Sequence, residues 1–75
     1  MRTLREIAID IQREWKNVYF GAVPYLTAMK YLVSVDDQYI NDSGESVVRH
    51  FLANAGSWRG ESARRIKTEL RSMLT

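Results

Sequence analysis

The absence of cysteine constrains this chain of 75 residues more than any other single feature of its sequence. A domain of this size buries only roughly 60% of the surface that its unfolded chain exposes, so its margin of stability is small. Small domains commonly add disulfides, a bound metal or a partner subunit to their hydrophobic core. Without thiols, disulfides and thiolate metal sites are excluded, so helix packing or self-association has to supply the stability. We expect one domain over residues 1–75, with a homodimer as an open alternative.

Four segments carry apolar residues at the i, i+3, i+4 spacing that is typical of an amphipathic helix. They cover about residues 3–16, 22–34, 44–55 and 58–74, and only short connections separate them. Consecutive helices joined in this way pack as a compact bundle. The sequence therefore predicts the all-α class, as a small compact bundle of four helices. The predicted inward-facing residues include Leu4, Ile7, Ala8, Ile11, Trp15, Leu26, Met29, Leu32, Val33, Val47, Val48, Phe51, Leu52, Ala55, Ala63, Ile66 and Leu70.

Several residues mark where these helices begin and end. Thr3 is a predicted N-cap, and Glu6 follows at the capping-box position. Pro24 suits a first helical turn, where its missing N–H costs nothing. Ser43 is a predicted N-cap for the third helix. Gly56 is the predicted C′ residue of that helix, in the left-handed conformation.

Between the second and third helices lies a polar segment, DDQYINDSG, at residues 36–44. Its acids raise the question of calcium, because an EF-hand loop places oxygen ligands at alternate positions before a glycine. Counting back from Gly44 puts Tyr39 at the first ligand position, and its aromatic side chain does not suit calcium. We therefore expect a solvated turn here, and no bound metal.

The positive charge of the chain is concentrated near its C-terminal end. The net charge of the whole chain is +2. Residues 59–75 carry five bases and two acids, a net charge of +3, whereas the rest of the chain carries six bases and seven acids. On the predicted fourth helix Arg64, Lys67 and Arg71 lie along one edge, and Arg65 projects elsewhere. The predicted contact residues for a partner or nucleic acid are Arg59, Arg64, Arg65, Lys67 and Arg71.

Two kinds of partner fit this basic segment. Arginine and tyrosine are favoured anchors in protein interfaces, so a protein partner is the first hypothesis. Charge asymmetry also supports the alternative, a nucleic-acid-binding accessory or regulator that uses the fourth helix. The third and fourth helices resemble a helix-turn-helix in outline. However, Leu52 occupies the place where the close helix crossing of that motif needs a small residue.

Catalytic chemistry has little support in the sequence. The chain has one histidine, His50, and no cysteine, Gly-rich phosphate loop or HExxH motif. Ser46, His50 and an aspartate could be counted as a triad, but a triad is recognised by geometry and not by composition. The large aromatics Trp15, Phe20 and Tyr25 are expected in the core. We therefore predict a non-catalytic binding or regulatory protein that needs no cofactor.

The sequence also bears on where the protein acts. No apolar run approaches the ~18 residues that a membrane-spanning helix needs. The first ten residues, MRTLREIAID, interrupt their apolar positions with acids, unlike a secretory signal. We expect no membrane contact, and a cytoplasmic location.

Two blocks of the sequence are distinctive. WKNVYFGAVPYLTAM at residues 15–29 and VVRHFLANAGSWRGESARRIKTEL at residues 47–70 resemble a group of small uncharacterised proteins of bacteriophages, prophages and other mobile elements. The resemblance implies a genomic setting in which small proteins commonly act by binding a larger protein or nucleic acid. It implies no catalytic residue.

Overall fold

Four helices and one short β-ribbon make up the part of the chain that the computed structural model describes, residues 1–74. In chain order the elements are α1 (Leu4–Glu14), α2 (Val23–Met29), β1 (Gln38–Tyr39), β2 (Asp42–Ser43), α3 (Gly44–Ala53) and α4 (Glu61–Ser72), with a 3₁₀ turn at Phe20–Ala22 leading into α2. The mostly helical class and the four helices are confirmed. The purely α assignment is wrong, because β1 and β2 pair as a small antiparallel sheet.

One hydrophobic core joins all four helices. The predicted stripes of α1 and α4 are buried, and α1 packs against both α2 and α4 while α2 packs against α3. Trp15, just after α1, stacks on Trp58 with ring centroids 5.4 Å apart. It also meets the edge of Phe51 in α3, at 6.2 Å. These three aromatic rings connect the end of α1 to α3 and to the segment before α4.

The start of α1 shows both local and long-range capping. Thr3 Oγ1 accepts a hydrogen bond from the Glu6 N–H, and the Glu6 carboxylate accepts one from the Thr3 N–H, which confirms the capping box. The Thr3 N–H and the Thr3 hydroxyl both donate to the Glu6 carboxylate, and these two bonds lower the pKa of Glu6 below its ordinary value. The first two N–H groups of the helix donate to the carbonyl oxygens of Val33 and Leu32, at 2.9 and 3.1 Å. A later segment of the chain thus satisfies donors that a helix start leaves unpaired.

The second helix is shorter than the predicted range of 22–34. It ends at Met29, and the chain then leaves helical geometry so that Leu32 and Val33 can pass the start of α1. Leu32 stays buried as predicted, but the prediction for Val33 is wrong, because its side chain is 63% exposed. Tertiary hydrogen bonds outweigh the weak helix preference of a segment with β-branched residues.

The predicted solvated turn at residues 36–44 contains the β-ribbon. Gln38 pairs with Ser43 and Tyr39 with Asp42, and residues 40 and 41 form the turn between the strands. Ile40 adopts a φ of 54°, which is rare for a β-branched residue and which the sequence did not indicate.

The first turn of α3 packs closely against residues 34 and 35. Ser43 Oγ accepts a hydrogen bond from the Ser46 N–H at 3.0 Å, which confirms this N-cap. The N–H of Glu45, the second residue of the helix, donates to the Val35 carbonyl oxygen at 2.9 Å. A Cβ atom on Gly44 would lie 2.5 Å from the Ser34 carbonyl oxygen. This approach therefore requires glycine at position 44.

The fourth helix begins at Glu61, three residues later than the predicted 58, and ends at Ser72. Trp58 is buried against Trp15, and this packing holds the residues before α4 outside the helix. The prediction of a left-handed Gly56 is wrong: within residues 1–74, Gly60 is the glycine with a positive φ, 111°, at the N-cap of α4. Within the described residues no helix combines the length and hydropathy that a membrane span needs.

Candidate functional site

Four of the five predicted contact residues share one side of the molecule. Arg59, Arg64 and Lys67 line the same surface cleft, and Arg71 follows Lys67 by one helical turn. We call Arg59, Arg64, Lys67 and Arg71 the basic face. Arg65 does not belong to it, because it is 100° away from Arg64 around the helix. It lines a second opening with Glu61, Thr68 and Arg64, so Arg64 borders both openings.

The cleft that the basic face surrounds has a volume of about 330 Å³. Gly56, Trp58, Gly60 and Ala63 form its floor and walls. Trp58 and Ala63 are buried, so the floor is fixed by the hydrophobic core. Neither glycine would place a Cβ atom within 4 Å of another residue, so the space above them is open. The cleft is therefore an open pocket with a rigid floor and cationic walls.

Lys67 is held in place at the edge of this cleft. Its ammonium group donates to the Trp58 carbonyl oxygen at 2.6 Å and lies 5.9 Å from the centre of the Trp58 ring, within cation–π range. Partial burial lowers the pKa of Lys67, and the charges of Arg71 and Arg59 lower it further. Burial is the largest cause of this shift, and the smaller contribution of the two arginines reflects positive charges that lie near Lys67.

On the other side of α4, Arg2 forms ion pairs with two acidic residues, Glu69 and Asp10. Arg2 donates from Nε and Nη2 to the two carboxylate oxygens of Glu69, at 3.1 and 2.7 Å, and from Nη1 to Asp10 at 2.9 Å. These hydrogen bonds are the main cause that lowers the pKa values of Asp10 and Glu69, and the charge of Arg65 contributes to both shifts. Arg65 thus lies near Asp10 and Glu69, whereas Arg64 shares the second opening with Glu61.

The arginines of the basic face have no internal acid partner within the described part of the chain. The ion pairs closer than 4.0 Å among residues 1–74 involve Arg2, Arg13 and Arg49 as the bases. Arg59, Arg64 and Arg71 are all exposed. Their guanidinium groups can therefore bind an external anion without first breaking an internal pair.

The pair formed by Ser46 and His50 lacks the arrangement of a nucleophile and its base. His50 Nδ1 lies 2.8 Å from the Ser46 carbonyl oxygen, which can only accept, so this nitrogen carries the proton. Ser46 Oγ is 3.4 Å from the same nitrogen, which cannot then take the hydroxyl proton. The imidazole stacks on Tyr25 at 5.1 Å and is exposed.

Other aromatic residues lie on the surface. The prediction of Phe20 in the core is wrong: its side chain is 79% exposed, because the 3₁₀ turn directs Ala22 inward instead. Phe20 contacts Tyr19, and exposed Tyr31 stacks on Tyr39 with centroids 5.8 Å apart. A role for exposed tyrosines in partner binding stays a prediction, and so does the homodimer.

Sequence reasoning missed the floor of the cleft and the Arg2 network. The run WRG, with an aromatic residue, a cation and a glycine together, was the available signal for the cleft. No local signal could pair Arg2 with Glu69, which lies 67 residues away.

Comparison with known proteins gives no relative: no family model, curated protein or solved structure matches the chain. The resemblance to proteins of mobile elements therefore stays a prediction. The function has to be argued from the geometry of the site.

Proposed function

We propose that this chain is a non-catalytic binding protein, whose basic face docks on the acidic surface of a protein partner. The resemblance noted above sets the proposal in a bacterial cell that carries a phage or mobile element. Binding needs no cofactor and no bond-making step, in keeping with the residues that line the cleft.

The observation that carries the proposal is the accumulation of unbalanced positive charge on one face. Like charges on neighbouring positions of a helix destabilise it, so a cluster of four cations works against folding. Of the two acids on α4, Glu69 is bound by Arg2, whereas Glu61 lines an opening with Arg64 and Arg65 and forms no ion pair closer than 4.0 Å within residues 1–74. A cluster that costs stability and keeps its cations exposed suits a function in binding anions.

The connection between α3 and α4 and the packing of α4 favour a protein partner over nucleic acid. The helix-turn-helix motif joins its helices by three or four residues, whereas residues 54–60 separate α3 from α4. In addition, α4 packs against α1, so its inner face is used in the core away from α3. Three of the four cations, Arg59, Arg64 and Lys67, line one cleft, which suits a compact anionic group.

The proposal is tested with a pair of charge-reversal variants. Arg64→Glu/Arg71→Glu reverses two charges on the basic face, and Arg5→Glu/Lys16→Glu makes the same change in net charge at exposed positions elsewhere. Tagged wild-type protein and both variants are used for pull-downs from nuclease-treated bacterial extract. We expect wild type and the control variant to retain the same partner and the basic-face variant to lose it.

Two results would contradict the proposal. Equal capture by both variants would exclude the basic face as the contact surface. Binding of labelled duplex that falls steeply with salt, and that the basic-face variant loses, would establish the nucleic-acid alternative instead.

A further inference from the structure

The cleft on the basic face has features that general electrostatic attraction does not require. Its floor is the buried Trp58, and both Gly56 and Gly60 leave space where side chains would otherwise project. Its volume of about 330 Å³ is large enough for the end of an acidic side chain. A surface that only attracted anions from a distance would need exposed cations but no shaped pocket.

The donors around the cleft are also directed into one place. Lys67 uses one of the three N–H bonds of its ammonium group on Trp58, which positions the group and leaves two donors for a ligand. Arg59 and Arg64 each add a planar guanidinium that can donate two parallel hydrogen bonds to a carboxylate. Gly60, which also lines the cleft, begins α4 without a side-chain cap, so the positive end of the helix lies at the same wall.

We propose that this cleft is the binding site for a single carboxylate side chain of the acidic partner. The inference rests on the proposed function and adds to it the group that is recognised and the place where it binds. The carboxylate accepts from the Lys67 ammonium and from at least one guanidinium at the opening of the cleft. The contact is then a central anchor, and the remaining arginine of the basic face, Arg71, contributes long-range attraction.

The proposal makes a prediction about shape that charge alone does not make. Gly56→Val adds a side chain at the edge of the cleft without changing any charge. A Cβ at this position meets no other atom within 4 Å, and the backbone there does not require glycine. Arg59→Gln is a second variant, which removes a donor at an exposed position outside the helices. Arg5→Gln is the matched control, an exposed arginine on α1.

The probe is a short oligo-glutamate peptide titrated into ¹⁵N-labelled full-length protein. We expect the indole signal of Trp58 and the amide signals of Gly56 and Gly60 to shift with the wild type and with Arg5→Gln. Arg59→Gln should weaken binding by about tenfold or more, the loss expected when a charge-assisted hydrogen bond is removed. Gly56→Val should also weaken binding, because the added side chain narrows the cleft. The unfolding curve of each variant confirms that it is folded.

The possible failures are distinguishable. Suppose that Gly56→Val binds the peptide like the wild type while Arg64→Glu/Arg71→Glu does not bind. The basic face then attracts the peptide without a defined binding site, so the carboxylate site is overturned and the proposed function stands. If inorganic phosphate or an oligonucleotide shifts the same signals and oligo-glutamate does not, the carboxylate assignment is overturned. If neither the peptide nor an extract partner binds the wild type, the proposed function fails as well.

Discussion

Replacing Arg2 by methionine tests how much the ion pairs of Arg2 with Asp10 and Glu69 stabilise the fold. Arg2 bridges Asp10 on α1 and Glu69 on α4, two helices that also share the hydrophobic core. Methionine keeps most of the apolar stem and removes the guanidinium, so the change isolates the polar network. We expect the Arg2→Met protein to fold and to be less stable than the wild type at neutral pH.

The size of the effect follows from three hydrogen bonds and from their exposure. A hydrogen bond to a charged group contributes about 1.5–3 kcal/mol when it is shielded from water, whereas an exposed ion pair contributes about 0.2–1 kcal/mol. The side chains of Arg2, Asp10 and Glu69 are 35%, 14% and 26% exposed, so the network lies between these limits. We expect a loss of about 2 kcal/mol in the free energy of unfolding, or about 10 °C in Tm for a domain of this size.

The pH dependence gives the prediction its sign. Hydrogen bonds from Arg2 hold the folded-state pKa of Asp10 below its ordinary value of 3.8 and that of Glu69 below 4.5. The unfolded chain therefore binds more protons in the acidic range, and stability rises with pH there. The contribution of the network is present above these ordinary values and is lost as the pH falls through the lowered folded-state pKa values. The stability difference between wild type and Arg2→Met should shrink over the same range.

Urea unfolding followed by circular dichroism, at neutral and at acidic pH, measures both effects. Arg13→Met is the control, since Arg13 is 69% exposed and lies 3.5 Å from Asp10. It should cost less than about 0.5 kcal/mol, as surface substitutions usually do. A difference between wild type and Arg2→Met that stays constant on acidification would refute the reasoning, because it would come from packing. No difference at neutral pH would refute it as well.

Two further substitutions test the packing that positions the cleft and the helices. Gly44→Ala would place a Cβ 2.5 Å from the Ser34 carbonyl oxygen. We expect urea unfolding to show a loss of about 3 kcal/mol in the free energy of unfolding, at the upper end for overpacking. Gly56→Ala, where the added Cβ lies in open space, is the control, and equal stability of the two variants would contradict this prediction. Trp58→Ala removes the buried ring that stacks on Trp15 and should cost about 3–5 kcal/mol. Thermal unfolding with near-ultraviolet circular dichroism measures this loss, and a cost below about 1 kcal/mol would show that the stack contributes little to the core.

Features that depend on neighbours along the chain could be predicted from the sequence. The apolar stripe of α1, its capping box at Thr3 and Glu6, and the N-cap at Ser43 all involve residues within one or two helical turns. The edge formed by Arg64, Lys67 and Arg71 follows from the same helical spacing. Gly56 and Gly60 show the limit of this approach: both sit near a helix end, and only the packing of Trp58 decides which one takes the positive φ.

By itself, therefore, the sequence determined that the chain is mostly helical, which residues of α1 and α4 face the core, and that the excess positive charge lies on α4. The tertiary structure decided that α2 stops at Met29, that Arg2 neutralises Glu69, and that Trp58 forms the floor of a cleft beneath Lys67. The physical reason is that helical periodicity and capping depend on residues only a few positions apart in the sequence. Hydrogen bonds and ring contacts between distant segments depend instead on how the whole core closes.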